Sequence, residues 1–409
     1  MKYNFISSLY SDKLEEEIIE NTIGPLSNAN NLLQKNIAIG FSQLVNEINI
    51  ISLPSIGSYP RKFKKIKIPP FFGSINNTKI RFTSLPFFNI PVFKNISKLI
   101  SLYNYLKKQK TNDKTINIYY DLDISFLLLL FFKKYLFPKS KNCFIIPDLI
   151  GMTGTPKSFI YSIYLYIYRC CFKLSVKNID FFILISKHME DELIKITKKP
   201  IDCVVVEGIY KKTIINTDNT DNTDNTDNTD NTKFIIFYSG ALDERNGVLH
   251  LLDTFCLTKN SNYELHIYGD GPLKNIIKKR LSQDGRIKYF GQKSNDVIIK
   301  KQKKASVLIN PRLPNQDFIK YSFPSKTMEY LASGVPVIMY ELDGVPTEYF
   351  QYIIIPDSLS QSSLLQAIHS VMEMNKQEKE QLCLSAKNFI LTEKNEIVQC
   401  KKIIEAINE

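Results

Sequence analysis

The stretch FPSKTMEYLASGVPVI, residues 323–338, combines a loop, a helix and a strand in one short run. A rigid proline turn opens it. The helix that follows carries Glu329 and ends at Gly334, after which a short apolar strand completes the run. This order is typical of α/β domains, in which parallel strands form a sheet that helices cover on both faces.

The polar residues of this run fit a nucleotide-diphosphate site. Lys326 and the backbone N–H groups beside Ser325 could hold phosphate oxygens, because a lysine and a helix N-terminus both favour negative charge. Glu329, one turn further on, could accept hydrogen bonds from ribose hydroxyls. On composition alone the same residues also fit an ordinary α/β domain in which Glu329 is merely solvated.

Strand-like and helix-like segments alternate through both halves of the chain. This alternation predicts two doubly wound parallel sheets, each with its ligand outside the carboxyl ends of the strands. The predicted strands are residues 3–9, 48–53, 116–120, 143–147, 181–186 and 202–206 in the first half, and 233–239, 263–268, 287–289, 306–310 and 335–339 in the second.

A tandem repeat of Asn, Thr and Asp fills residues 216–232 between the two halves. The repeat has no apolar side chain to bury, so it predicts a disordered linker over residues 211–232. The domains are then residues 1–210 and 233–392, with a final helix at about 393–409. An Asx-rich calcium site is a weaker alternative, because the repeat lacks the glycine and glutamate of an EF-hand loop.

Composition indicates a globular protein of a reducing compartment. Of the 409 residues, 44% are hydrophobic and 23% charged, as in soluble domains. The seven cysteines form no C-x-x-C pair and the four histidines are scattered, so no metal site or disulfide framework is predicted. The first residues lack the pattern of a signal peptide, and we expect a cytoplasmic location.

The excess positive charge lies in the first half. Residues 1–210 hold 28 basic and 16 acidic side chains, whereas the remainder holds 25 of each. Residues 48–112 hold twelve basic side chains and no acidic one, interleaved with Phe and Pro. This mixture predicts an anionic membrane surface as partner. Nucleic acid is less favoured because no known binding motif accompanies the charge. A third interpretation is that these basic side chains form an ordinary solvated face.

Two apolar stretches of the first half need separate interpretations. Residues 124–132, ISFLLLLFF, are too few to cross a bilayer and predict a buried helix. Residues 159–172, FIYSIYLYIYRCCF, predict a very apolar helix with tyrosines every two or three positions. That helix fits either core packing or shallow seating in a membrane.

The run at residues 323–338 resembles the donor-nucleotide segment of family-4 glycosyltransferases, retaining enzymes with the GT-B fold. More narrowly, it resembles the bacterial cell-surface-polysaccharide members that carry an FPSK…EY…SG.P pattern. The resemblance is good over residues 234–344. It implies two Rossmann-like domains facing across a cleft, with the last helix packing back on the N-terminal domain.

The resemblance also implies a donor site built from three loops. Residues 239–247 are similar to the family's phosphate loop, with Gly240 and Arg245 as candidate ligands and with Ala241 and Asn246 where basic residues usually stand. Residues 269–272 are similar to a G-x-G-P turn, which adds two glycine candidates, Gly269 and Gly271.

The third loop leads into the FPSK helix. Glu329 matches the family's ribose glutamate, whereas the sugar glutamate is replaced by Tyr321. Ser325 and Lys326 complete the candidate donor ligands, and Asp317 is a weaker one. Lys326 becomes the main candidate for the diphosphate charge, since Ala241 and Asn246 carry none.

The N-terminal domain should supply the acceptor site. Many family members use a histidine there, but this chain has none before His188, which we place on a helix surface. Asp148, at the end of a predicted strand, is the preferred ligand for the acceptor hydroxyl, and a turn cap is its alternative role. Asp121 and Asp123 follow another strand and are reserves, and Glu207 ends the last strand of this half.

The sequence therefore predicts a retaining, metal-independent glycosyltransferase with Asp148, Lys326 and Glu329 as catalytic residues. It would move a sugar from a nucleotide-diphosphate sugar to a polyprenyl-linked or saccharide acceptor, at the inner face of the membrane. A sugar-nucleotide 2-epimerase is disfavoured by the scarcity of carboxylates and histidines. A non-catalytic partner of another transferase stays open because of Ala241, Asn246 and Tyr321. The sugar, base and acceptor are not specified.

Overall fold

A computed structural model describes residues 2–24, 28–75, 80–109, 114–149, 159–211 and 233–409. The chain divides into two compact units. The first unit contains Met1–Ile209, Lys320–Phe323 and Glu396–Glu409, and the second contains Tyr210–Ile319 and Pro324–Asn395. Apart from Lys211, the predicted linker at residues 211–232 lies outside the described residues.

Strands and helices alternate along most of the described chain. The strands are β1 (Lys2–Ser7), β2 (Ile48–Ser52), β3 (Lys67–Ile68), β4 (Phe71–Gly73), β5 (Phe82–Ser84), β6 (Phe87–Phe88), β7 (Thr115–Tyr120), β8 (Ser140–Ile146), β9 (Phe181–Leu184), β10 (Cys203–Val205), β11 (Phe234–Ser239), β12 (Tyr263–Tyr268), β13 (Ile287–Tyr289), β14 (Val307–Asn310) and β15 (Val337–Met339).

The helices occupy the segments between strands and the end of the chain. They are α1 (Asp12–Asn21), α2 (Asn28–Leu44), α3 (Phe93–Lys108), α4 (Ile124–Leu129), α5 (Lys133–Leu136), α6 (Phe159–Ser175), α7 (His188–Thr197), α8 (Val248–Leu257), α9 (Lys274–Gln283), α10 (Asn295–Gln302), α11 (Lys326–Ala332), α12 (Gln361–Glu373), α13 (Lys376–Glu393) and α14 (Glu396–Asn408).

The first unit is built on an eight-stranded sheet of order β10-β9-β8-β7-β1-β2-β5-β4. All neighbours are parallel except β4 and β5. Helices α1, α3, α4, α5, α6 and α7 contribute to the apolar cluster on one face, and α2 and α14 to the cluster on the other. Helices on both faces of a parallel sheet are what the alternation predicts.

A ladder of buried asparagines crosses four strands of this sheet. Asn49 Nδ2 donates to Asn4 Oδ1 (3.2 Å), Asn4 Nδ2 to Asn117 Oδ1 (2.8 Å), and Asn117 Nδ2 to Asn142 Oδ1 (3.0 Å). The four residues occupy matching register positions on β2, β1, β7 and β8. A shift of any strand by one residue would leave amides unpaired in the core, so the asparagine ladder fixes the register.

The second unit has a five-stranded, fully parallel sheet of order β13-β12-β11-β14-β15. Its core strands carry almost continuous apolar side chains. Residues Val307–Asn310 of β14 are all buried, as expected where helices cover both faces. The order reverses direction between β11 and β14, which is the place where doubly wound sheets bind their ligands.

The helices of the first unit differ from the sequence predictions in two places. Helix α1, rich in acidic residues, is not indicated by the sequence pattern. The helix predicted over residues 124–132 is interrupted by a 3₁₀ turn at Leu130–Phe132. The helix predicted over residues 159–172 is present as α6. None of the helices in the described part of the chain combines the length and apolar character needed to cross a bilayer.

The asparagine ladder gives a stability prediction. Asn117→Ala removes an inner member, leaves Asn4 Nδ2 without an acceptor and leaves Asn142 Oδ1 with only the Tyr119 hydroxyl at 3.5 Å. We therefore expect a loss of about 2–4 kcal/mol in the free energy of unfolding. Asn49→Ala removes one bond at the half-buried end and should cost about 1 kcal/mol. Urea unfolding of both variants measures the difference, and equal losses would contradict the role of the ladder.

Candidate functional site

Carboxylates gather in the first unit where β7 and β8 end. Asp121 follows β7 directly, with φ of +73°, and its Oδ1 accepts a hydrogen bond from the Leu122 N–H (2.7 Å). Burial raises the pKa of Asp121 to about 6, and the carboxylates of Asp123 and Asp148 add to the shift. The structure therefore brings the preferred acceptor residue and its two reserves into one electrostatic cluster.

The three carboxyls have different surroundings. Burial acts to raise the pKa of Asp123, but its ion pair with Lys98 (3.2 Å) and its hydrogen bonds from Ser125 hold that pKa below the ordinary value. Asp123 also caps α4, which is the structural role that such a residue often has. Asp148 is open to solvent, yet the protein around it displaces enough water to raise its pKa.

Two lysines of α3 lie near these carboxylates, and the sequence pattern did not indicate this. Lys98 is almost fully buried beside Asp123, and Lys94 Nζ donates to the Ile56 carbonyl. Burial, with a smaller contribution from Lys98, lowers the pKa of Lys94 to about 7. The first unit thus places one buried and one half-buried amine near its candidate acceptor carboxylates. The remaining candidates of this half are separate: His188 begins α7, and Glu207 is buried.

In the second unit, three loops meet at one edge of the sheet. Strands β12, β11 and β14 are neighbours and parallel, so the loops that follow them leave from the same edge. Gly240 donates its N–H to the Tyr268 carbonyl (3.1 Å). Gly269 has φ of +137°, and a Cβ there would lie 1.9 Å from the Gly240 carbonyl oxygen. These predicted donor ligands therefore also serve the packing of one loop on the other.

The second glycine of the G-x-G-P turn is equally confined. A Cβ on Gly271 would lie 2.5 Å from the Leu242 carbonyl oxygen. Helix α9 begins just after this turn, at Lys274. The glycine loops therefore form a compact backbone surface at the strand ends.

Helix α11 presents an ion pair at this edge. Lys326 Nζ contacts both oxygens of Glu329 (2.9 and 2.8 Å), and the fully buried Gln302 donates to Glu329 Oε1 (2.6 Å). Gln302 Nε2 also lies 3.4 Å from Ser239 Oγ, at the end of β11. We call this chain of contacts, from Lys326 through Glu329 and Gln302 to Ser239, the α11 network. It links the helix to the strand end and leaves about a third of the Lys326 side chain exposed.

The start of α11 offers fewer donors for a phosphate than the sequence predicts. Ser325 is exposed and makes no capping hydrogen bond with its side chain. The Thr327 N–H is already donated to the Pro324 carbonyl (2.8 Å). The helix has only seven residues, so Lys326 rather than a helix N-terminus is the main source of positive charge here.

Arg245, Asp317 and Tyr321 have different surroundings. The Arg245 guanidinium lies over the Phe318 ring, 5.4 Å from its centroid. Asp317 is exposed. Tyr321 is buried in an apolar cluster of the first unit, and its hydroxyl donates to Glu192 (3.3 Å). The sugar-binding role of Tyr321 stays a prediction.

Comparison with known proteins finds a similarity in the second unit. Residues 233–374 match the family model described as Glycosyl transferases group 1. The match includes the glycine loops, Gln302 and the whole of α11. No curated protein matches the sequence closely enough to count as a relative.

Solved structures show that the whole chain has the GT-B fold. The lipopolysaccharide outer core galactosyltransferase WaaB is 15% identical, with 100% of this chain and 99% of that chain covered at a TM-score of 0.61. Sucrose-phosphate synthase from Thermosynechococcus elongatus is 13% identical, with 100% and 98% covered at 0.67. HepE of Anabaena, solved in complex with UDP, is 11% identical, with both chains fully covered at 0.60.

Among the described residues of either unit, no cluster of three or more His, Cys, Asp or Glu side chains could hold a metal ion. The polar groups at the strand ends of the second unit include the α11 network and, after β11, Arg245.

Asp121 gives a pH-dependent prediction. Its pKa lies above the ordinary value, so the folded state is penalised where the carboxyl is ionised in both states, above about pH 6. Asp121→Asn should therefore increase the free energy of unfolding at pH 7.5 by up to about 3 kcal/mol, and the melting temperature should rise with it. The gain should fade as the pH falls from 6 to 4, because the folded wild type then becomes protonated.

Thermal unfolding of wild type and variant between pH 4 and 8 measures this gain. Asp357→Asn, at an exposed carboxyl of the second unit, is the control and should show no pH-dependent difference. A constant gain for Asp121→Asn over the whole range would show that ionisation is not its cause.

Proposed function

We propose that the protein transfers a sugar from a nucleotide-diphosphate sugar to an acceptor hydroxyl, as a family-4 enzyme of the cell-surface-polysaccharide type. The observation that supports this proposal is the α11 network, which links Lys326 and Glu329 to Ser239 at the end of β11, within the residues that match the glycosyltransferase model. Several similar structures were solved with UDP, and GtfA was solved with UDP and GlcNAc.

The donor would be held mainly by charge and by backbone. Lys326 has three N–H donors, so it can keep Glu329 as a partner while it binds a phosphate oxygen. Glu329, fixed by Gln302, would accept hydrogen bonds from the ribose hydroxyls. The backbone of Gly240, Gly269 and the turn at Ser325 would approach the nucleotide, with Gly271 and Arg245 as further contacts and Tyr321 toward the sugar.

The chemistry requires stabilisation of a leaving group. The bond from the anomeric carbon to the diphosphate breaks, and a new bond from that carbon to the acceptor oxygen forms with retention. The acceptor proton passes to the departing phosphate. The negative charge that develops there is what Lys326 would stabilise, without a resident metal, and such electrostatic stabilisation is usually the largest contribution to catalysis. Asp148 would orient the acceptor hydroxyl by accepting its hydrogen bond.

Donor binding can be tested by calorimetry with UDP-, GDP-, ADP- and CMP-sugars. We expect one class to bind and to be turned over. Lys326→Ala and Glu329→Ala should each abolish transfer, because one removes the charge at the phosphate and the other the ribose contact. Both should stay folded, since both side chains are partly exposed, and circular dichroism checks this for each variant.

Lys376→Ala is the matched control. It breaks another helical ion pair of the same unit, Lys376 with Glu380 (3.8 Å), that lies on the exposed surface of α13. This variant should keep full activity. Wild-type turnover in either α11 variant would overturn the site assignment. Donor binding without turnover by the wild type would favour a non-catalytic partner of another transferase.

We further propose that the first unit rests on an anionic membrane at the cytoplasmic face and receives a lipid-linked acceptor there. Phe159 and Tyr166 of α6 are 81% and 70% exposed, and Val92 at the start of α3 is 91% exposed. Helix α4 packs against both α3 and α6, so these apolar side chains belong to one helix layer. The adjoining sequence is basic, and basic and aromatic side chains together favour anionic lipid headgroups.

Vesicle sedimentation tests this membrane proposal. The protein should bind vesicles that contain phosphatidylglycerol and should dissociate at high salt, because the attraction between charges is screened. Phe159→Ser combined with Tyr166→Ser should weaken binding at least tenfold. Leu384→Ser, at an exposed apolar residue of α13, should leave it unchanged. Equal binding to neutral phosphatidylcholine vesicles would contradict the electrostatic part of the proposal.

A further inference from the structure

Arg312 is the second residue after β14, and its side chain reaches the first glycine loop, residues 239–247. Its Nη2 donates to Asn246 Oδ1 (2.5 Å). Its Nε is buried and has no acceptor within the described chain. No carboxylate lies within ion-pair distance of the guanidinium among the described residues. Arg312 therefore combines a fixed position with an unused N–H donor.

The guanidinium carries an uncompensated charge. Burial lowers the pKa of Arg312, and the neighbouring Tyr238 and Asp243 offset only part of that effect. An arginine stays charged in proteins, so its desolvation has to be compensated by an anion or by well-placed acceptors. Here a single amide oxygen is the side-chain acceptor.

The carboxylate of Asp243, which acts on the Arg312 charge, is already hydrogen-bonded to Asn246. Asp243 Oδ1 accepts hydrogen bonds from the Asn246 N–H (2.9 Å) and from Asn246 Nδ2 (2.7 Å), and it thereby closes the turn at the start of the loop. The same Asn246 side chain then accepts from Arg312. The loop thus holds the guanidinium through a neutral amide and leaves its charge available.

The backbone fixes this arrangement. Gly247 has φ of +72°, and a Cβ there would lie 2.0 Å from the Pro311 carbonyl oxygen and 3.1 Å from the Arg312 backbone nitrogen. The first glycine loop is therefore in direct contact with the Pro311–Arg312 peptide group. A rigid contact of this kind keeps the arginine beside the loop when no ligand is present.

We propose that Arg312 binds the diphosphate of the donor, with Asn246 as the residue that positions its guanidinium. This inference rests on the proposed function. The planar guanidinium presents parallel N–H groups that match two phosphate oxygens, and such charge-assisted pairs are roughly twice as strong as neutral hydrogen bonds. Arg312 would then share the diphosphate charge with Lys326.

Calorimetry of the full chain with inorganic pyrophosphate tests the proposal without knowledge of the base. Arg312→Gln should weaken pyrophosphate binding at least tenfold, and Arg312→Lys should weaken it less, because the charge remains and the planar fork is lost. Uridine and guanosine, which carry no phosphate, should bind these variants as they bind wild type. Arg280→Gln is the control, since Arg280 is paired with Asp253 (2.6 Å) elsewhere in the same unit.

A rescue variant separates phosphate binding from a structural role. Asn246→Lys in the Arg312→Gln background places an ammonium group close to the vacated guanidinium position and should restore much of the pyrophosphate affinity. A purely structural arginine would not be rescued in this way, and its loss would reduce nucleoside and pyrophosphate binding alike.

The failures of the two proposals are distinguishable. If Arg312→Gln binds pyrophosphate as wild type does while Lys326→Ala does not, the assignment of Arg312 is overturned and the proposed function stands. If wild type binds neither pyrophosphate nor any nucleotide sugar, both proposals are overturned.

Discussion

The asparagine ladder across β2, β1, β7 and β8 is the constraint on which the geometry of the first unit depends. Apolar side chains alone allow strands to slide, because one buried aliphatic residue can replace another. Buried amides do not, since each needs its own partner. The ladder therefore aligns the ends of β7 and β8. This alignment brings Asp121 and Asp148 close enough for one to influence the ionisation of the other.

In the second unit, backbone contacts between loops fix the geometry at the strand ends. Its glycine loops contact each other through backbone, and the Gly240–Gly269 contact excludes any side chain at position 269. The N–H groups of Gly240, Gly269 and Gly271 already donate within the protein, so these loops offer close approach of backbone but little charge. The charge comes from two cations on neighbouring elements, Lys326 on α11 and Arg312 after β14. One is paired within its own helix, and the other is held by an amide.

The sequence predicts this fold well wherever a signal is local. Strand and helix alternation follows from apolar periodicity, and the three-residue spacing of Lys326 and Glu329 predicts neighbours on one helix face. Gln302 and Arg312 were missed because their partners are 27 and 66 residues away in the chain. Lys94 and Lys98 look like ordinary surface lysines of an amphipathic helix, since nothing local shows that other segments cover them. Helix α1 was missed because its charged residues mask a weak apolar stripe.

Helix α14 determines when the first unit can complete its folding during synthesis. The last residues of the chain belong to the first unit, where α14 packs against α2 and the two contribute to one apolar cluster. A ribosome must add about 190 residues after Ile209 before Glu396 appears, which takes roughly 10 to 40 s at ordinary synthesis rates. The unit that is translated first is thus completed last. Until then, the apolar surface that α14 covers is exposed to chaperones and to other nascent chains.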